Sequence, residues 1–379
     1  MRKIVSKLLL CIAALLFLQC KNDKLITATA VNKTSNQITI AKGFSLQKYD
    51  GFSVLKVVNP WPNANKSYVY ILKNKKCIVP DSLSSFAVIN VPIKTIVVSS
   101  TTHIPSLTML GVEKSLVGFP NLSYISSEKV RALIDSGKVA ELGNNQQLNL
   151  ERVIELSPTV FVGYGIDNNN PTLENLQKSG IPVILNGDWN EQTALGKAEW
   201  IKFFGALYGL EKQADNIFAK IAADYNKTIT IAKKAASRPT VLAGAMFKDV
   251  WYMPKGESWG SLMFADANAN YLWSKSKGTG SLNLSFETVL DRASNAEFWI
   301  QGQFSSYDEM LKANEHYSQF KAVKSKNVFT YASKKGATAG ILYYELAPNR
   351  PDLVLKDLVK ILHPELLPGY KPFFIEPLK

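Results

Sequence analysis

The chain has 379 residues, 46% of them hydrophobic and 20% charged, with 44 basic against 31 acidic side chains and a formal charge of +13. That length allows two domains with a sizeable core, and the composition is that of a folded soluble body, not a disordered chain. Three scattered histidines (His103, His316, His363) and three cysteines with no Cys-x-x-Cys pair exclude a zinc-hydrolase site, a zinc ribbon and a redox pair, while the basic excess points to an anionic ligand or surface, or simply to a soluble basic exterior.

The N-terminus is set apart. Arg2, Lys3 and Lys7 precede the apolar run 8–19, too short to span a bilayer and shaped like a secretory signal. The Leu-Phe-Leu-Gln-Cys junction resembles a bacterial lipoprotein signal. Residues 1–20 are therefore expected to be the signal, with Cys20 lipidated as the first residue of the mature, membrane-tethered protein. Gln19 departs from the small residue usual before that cysteine. Without the three basic residues the formal charge falls from +13 to +10. With Cys11 in the signal and Cys20 at its end, Cys77 has no disulfide partner. An exported chain rarely meets nucleic acid, so none is expected as a partner.

Residues 21–91 read as a tether and a small antiparallel β unit. Alternating segments at 37–40, 53–58 and 67–72 are separated by turn signals, Asp50-Gly51 and Asn59-Pro60-Trp61-Pro62-Asn63. From residue 92 to 190, apolar strands (95–99, 116–119, 160–164, 181–185) alternate with helical patterns (103–110, 126–136, 149–156, 171–179). This grammar predicts βαβ units and a parallel sheet. Residues 191–237 are helical: one helix over 194–208 stopped near Gly209, and a second over 211–236 with apolar or small residues at helical spacing. At a rise of about 1.5 Å per residue the second would be a rod of about 39 Å. Residues 238–379 return to the alternating grammar, with strands at 240–246, 297–300 and 328–331 and helices at 258–270, 285–293, 306–313 and 351–362. The expected fold is α/β: two Rossmann-like lobes with mainly parallel sheets joined by one long helix, plus the N-terminal β unit.

No GxxxxGK[ST] or GxSxG occurs, and Gly163-Tyr164-Gly165 does not open a helix. The two lobes do share one phrase. NLERVIELSPTVFVG in the first and SFETVLDRASNAEFWIQG in the second each place a polar residue, an apolar residue and a glutamate at a helix start: Asn149-Leu150-Glu151 and Ser285-Phe286-Glu287. An acid in a first turn is favourable through the helix dipole alone. A carboxylate pair could also serve glycoside hydrolysis, but these acids head helices in separate lobes.

IKTIVVSSTTHIPSLTMLGVEKSLVGF, NLERVIELSPTVFVG, WYMPKGESWGSLMFADANANYLW, FKAVKSKNVFTYA and the closing PDLVLKDLVKILHPEL, in this order over about residues 92–365, resemble the substrate-binding proteins of the cobalamin and ferric-siderophore ABC importers, whose lobes are joined by a helix. The resemblance implies a non-catalytic binding protein without a cofactor. It would sit in the bacterial cell envelope as a periplasmic or cell-surface lipoprotein and deliver a ferric siderophore or related metal chelate to an ABC transporter permease. Cobalamin, a corrinoid or haem is the alternative ligand; a hydrolase using Glu151 and Glu287 is the reading from another class. The resemblance makes Glu151 and Glu287 permease-docking residues. It puts the ligand between the lobes at the strand C-terminal ends, against Phe119, Asn121, Tyr124, Asn144, Gln146 and Tyr164 of the first lobe and Trp251, Tyr252, Trp259, Ser281, Lys334 and Lys335 of the second. His103, at the opening of the first helix of lobe one, is a further residue expected near this edge.

Overall fold

The computed structural model describes residues 36–379 and the two-residue strand Ile26–Thr27; Cys20 lies outside the described residues. In lobe one the strands Val183–Leu185, Val160–Gly163, Ile96–Val98, Leu116–Phe119 and Ala140–Glu141 lie side by side in that order, all parallel. Ile96–Val98, Val160–Gly163 and Val183–Leu185 are buried throughout, which is why they read as continuous apolar runs: helices cover both faces. Lobe two repeats the plan with Asn270–Tyr271, Thr240–Ala243, Phe298–Gln301 and Val328–Thr330 parallel, and the chain end Glu376–Pro377 added antiparallel at the edge.

Between the lobes, Ile201–Tyr208 ends at Gly209 in the left-handed region (φ 67°) and Glu211–Ala232 follows. The latter has 22 residues, a rod of about 33 Å at 1.5 Å per residue, shorter than the sequence suggested. Its buried stripe divides. Ala214, Phe218 and Ile221 enter the core of lobe one, whereas Tyr225 and Ala232 enter that of lobe two. The expected single helix over 194–208 is two, Ala194–Glu199 and Ile201–Tyr208, broken where Trp200 takes ψ −11° and its ring packs 4.3 Å from that of Phe44.

The N-terminal sheet has strands Phe44–Lys48, Phe52–Val58 and Ser67–Asn74 antiparallel, with Ala87–Val91 joining the third in parallel. Its inward residues Phe44, Leu55, Val57 and Leu72 share one apolar cluster with Ile96, Val98 and Phe204 of the lobe-one body. Residues 37–40 are not a strand. The amides of Thr39, Ile40 and Ala41 donate to the buried Glu199 carboxylate at 3.0, 2.7 and 2.8 Å, so they have no ladder partner to seek. A second sheet unforeseen in the sequence projects from lobe two: Ala245–Phe247, Val250–Pro254 and Ser281–Leu284, antiparallel.

Candidate functional site

The groove lies where lobe two, the segment Trp189–Gln192 and the N-terminal sheet meet, and it encloses about 610 Å³. Its walls carry the rings of Trp189, Tyr252, Trp259, Phe264, Tyr331, Tyr343 and Tyr344, with Met253, Met263 and Pro62 between them. Several rings are packed together: Tyr331 and Tyr343 stack at 4.1 Å between centroids, and Trp259 lies parallel to Tyr343 at 6.5 Å. Burial pushes the phenol of Tyr343 well up, so its hydroxyl stays protonated at neutral pH. Among the described lining residues the only charged side chain is Glu191, whose Oε2 accepts from the amides of Lys42 and Gly43, each at 3.0 Å.

Strand alternation sorts the expected residues of lobe two. Along Val250–Pro254, Tyr252 faces outward into the groove, 42% exposed, while its neighbour Trp251 is fully buried. Trp251 is therefore corrected to a core residue; its Nε1 donates to the Ala243 carbonyl at 3.0 Å. Trp259, opening the helix Trp259–Asp266, and Ser281, on the edge strand, both line the groove. Lys334 does not. The returning C-terminal segment captures it: its Nζ donates to the Phe373 carbonyl and pairs with Glu376 at 3.5 Å. Lys335 is exposed on the same loop, bridged through its backbone to Ile341 and outside the groove lining.

In lobe one, Phe119 is 1% exposed within the core and is likewise corrected. Asn121 holds a left-handed turn (φ 61°) whose amide donates to Glu141 at 2.8 Å, and Tyr124 beyond it is 61% exposed. Asn144 is a turn residue, its Oδ1 accepting from the amides of Gln146 and Gln147 at 3.0 and 2.9 Å, and Gln146 is exposed. The residue between them was missed: Asn145 donates from Nδ2 to the Ser99 carbonyl (3.1 Å) and to the Tyr164 hydroxyl (3.2 Å), joining two strand ends. His103 is buried away from solvent, 3.9 Å from Asp188, and burial lowers its pKa against the pull of that carboxylate. Tyr331, Tyr343, Tyr344 and Trp189 went unread, although Tyr343-Tyr344 stand together in the sequence and Trp189 follows a strand end.

The lobes also touch directly. Asn349 receives the Ser106 hydroxyl at 2.9 Å and donates to the Thr102 carbonyl at 2.8 Å, and the Thr338 hydroxyl donates to the Ser123 carbonyl at 2.6 Å. Glu345, buried in lobe two, accepts from the amide of Ser126 in lobe one at 2.5 Å. Burial raises this carboxyl to about 7 against the lowering effect of the Ser126 and Ser127 amides. The sign follows from proton uptake: the folded protein holds a proton here that the unfolded chain, with its ordinary carboxyl of 4.5, has released. Stability from this group is therefore complete below pH 4.5 and is lost as pH rises through about 7. Its full size is about 3 kcal/mol. Glu345→Gln should flatten that part of the curve; denaturant unfolding across the interval checks it, and an unchanged slope in the variant would refute it.

Glu151 and Glu287 occupy matching positions, each the second residue of its helix, Leu150–Leu156 and Phe286–Ala293. The Asn149 side chain caps the first helix by accepting from the Arg152 amide, and Ser285 caps the second by accepting from the Thr288 amide. Both glutamates are exposed. Glu287 is held below the usual carboxylate range by its own amide and the Ser285 hydroxyl.

Two facing α/β lobes that share one helix and enclose a ring-lined groove define a bilobal ligand-binding protein. Residues 96–334 match the family described as periplasmic binding protein, and the chain belongs to that family, a family of binding proteins of the cell envelope. A lipoprotein of Methanocaldococcus jannaschii is 27% identical over 99% of this chain and 96% of its own length, and a second from the same organism is 25% identical over 88% and 84%. Among solved structures, the fold is shared with a possible iron-binding periplasmic solute-binding protein of Staphylococcus epidermidis (TM-score 0.56, 21% identity, 72% of this chain and 99% of that one). It is shared also with the triscatecholate siderophore binding protein of Bacillus subtilis (0.55, 17%, 72% and 94%) and a periplasmic heme binding protein of Pseudomonas aeruginosa (0.56, 18%, 76% and 98%). No helix among the described residues is long and apolar enough to cross a membrane.

Proposed function

We propose that the protein is the lipid-anchored substrate-binding component of an ABC importer, carrying a ferric siderophore or related metal chelate in the groove. The observation that carries this reading is the groove itself: about 610 Å³ walled by seven aromatic side chains, a surface suited to a bulky, ring-bearing complex. Similarity in fold to the siderophore- and heme-binding proteins supports it, and the names of the archaeal lipoproteins support anchoring through Cys20. No lysine, arginine or histidine is among the described lining residues, so the buried body of the chelate is uncharged. Lys275 and Lys277 belong to the segment that runs into the rim residues Thr279–Ser281, and Lys255 joins that rim through its amide, which donates to the Gly280 carbonyl at 3.0 Å; these lysines would meet an acidic group at the mouth. Glu151 and Glu287 are the permease contacts, one per lobe, fixing register on a partner that must also release.

Quenching of tryptophan fluorescence by an iron(III) tris-hydroxamate, an iron(III) triscatecholate, haem and vitamin B12 tests the ligand. Expected is tightest binding of the neutral tris-hydroxamate, weakened roughly tenfold by Tyr252→Ala or Trp259→Ala, about what one lost ring contact costs. Tighter binding of haem or B12 would move the assignment to the alternative ligand. Glu151→Lys with Glu287→Lys should leave affinity unchanged and depress uptake in cells. Lost affinity in a folded double variant would put these acids in a pocket and restore the hydrolase reading.

A further inference from the structure

The N-terminal sheet reaches the groove through one loop, 59–65, whose Pro62 is a lining residue. Its loop of left-handed asparagines, Asn59, Asn63 and Asn65 (φ 46°, 59° and 45°), lays Pro62 into the groove wall. The same loop drives Trp61, 2% exposed, against lobe one at Gly165, where an added Cβ would stand 2.6 Å from the indole. Pro60 closes on Gly187 in the same way, 2.9 Å from where a Cβ would be.

The lobe-one wall of the groove is the run Trp189–Gln192, and its first three residues are each held by a hydrogen bond, two of them with the N-terminal unit. Trp189 Nε1 donates to the carbonyl of Gly165, the residue that Trp61 covers, at 3.2 Å. Asn190 Nδ2 donates to the Asn59 carbonyl at 2.9 Å. The carboxylate of Glu191 accepts from the amides of Lys42 and Gly43. We infer that the sheet is a built-in part of the ligand site: Pro62 touches the ligand, and Trp61 is a positioning residue that holds Trp189–Gln192 at the groove. This rests on the groove being the binding site, and the test separates the two.

Pro62→Cys and Tyr252→Cys, one on each wall, are labelled in the full chain with a thiol-reactive dye, with and without the iron(III) tris-hydroxamate. The unchanged chain supplies the background from its own cysteines, of which Cys77 is buried. Both new cysteines should label readily and both should be protected at least fivefold. Protection at Tyr252→Cys alone overturns the inference and leaves the groove reading standing. Protection at neither, while the complex still quenches fluorescence, overturns both. A second measurement needs no ligand. Hydrogen exchange of the amides in 187–192 should speed at least tenfold in Trp61→Ala and return in Trp61→Phe, with probe affinity following the same order at unchanged exchange elsewhere. Unaltered exchange in Trp61→Ala overturns the positioning role.

Discussion

Glu199→Ala is expected to destabilise the protein by about 3–5 kcal/mol, the range seen when a buried, hydrogen-bonded charge loses its partner. Glu199 is fully buried and accepts from the Thr39 amide and hydroxyl and from the Ile40 and Ala41 amides. Lys202 stands 3.0 Å away, itself largely buried, and would keep Asp215 at 3.1 Å, the Gln37 carbonyl at 3.1 Å and the Phe218 ring at 5.0 Å. Burial pushes the Glu199 pKa up, but the backbone donors and Lys202 outweigh it, so the carboxyl titrates below its ordinary 4.5. A depressed carboxyl stabilises above that value and loses the contribution as pH falls through the folded pKa. The gap between the two chains should therefore narrow in acid. Urea unfolding at several pH values measures it. A cost under about 1 kcal/mol would mean that apolar packing alone holds the segment, since that is the net worth of a single ordinary hydrogen bond.

The second large effect is in the core of lobe two. Trp251→Ala should cost about 3–5 kcal/mol, as aromatic-to-alanine changes in cores do. The indole lies 5.1 Å from Trp299, 5.8 Å from Phe320 and 6.0 Å from Tyr317 between ring centroids, so its removal leaves a cavity among rigid rings that cannot close around it. Trp251→Phe keeps most of the volume, loses the bond to Ala243, and should cost about 1–2 kcal/mol. In that variant probe affinity should stay within twofold, because Trp251 is fully buried and is not among the residues that line the groove. A melting temperature unchanged in Trp251→Ala, or affinity lost in Trp251→Phe, would return this residue to the site.

The longer parallel strands of both lobes were legible because burial on two faces leaves unbroken apolar runs with breakers at each end, as at 160–163; the two-residue strands Ala140–Glu141 and Asn270–Tyr271 were not. Helix starts at 150 and 286 were legible through their capping residues. The projecting hairpin of lobe two was not. Its turn is Lys248-Asp249, both left-handed (φ 47° and 62°), and neither residue announces a turn as Asn-Gly does. That hairpin decides which of Trp251 and Tyr252 stands exposed at the groove, a matter of a single residue in register. Lys334 failed for another reason. Its partner, Glu376, arrives from the chain end through an antiparallel edge strand, and no local pattern foretells a long-range pair. Within 144–146, the sequence marked Asn144 and Gln146 but not that the Asn145 amide would bond Ser99 and Tyr164.

The connecting helix is rooted in two cores at once, Phe218 in one and Tyr225 in the other. Neither lobe can swing without dragging its half of the rod, so opening the groove means flexing a beam clamped at both ends, not turning a hinge pin. Traffic of a ligand then falls to the parts that are free to yield at the mouth, the exposed rings of Tyr252 and Tyr344. A wide gape would have to be imposed from outside by whatever grips both lobes together.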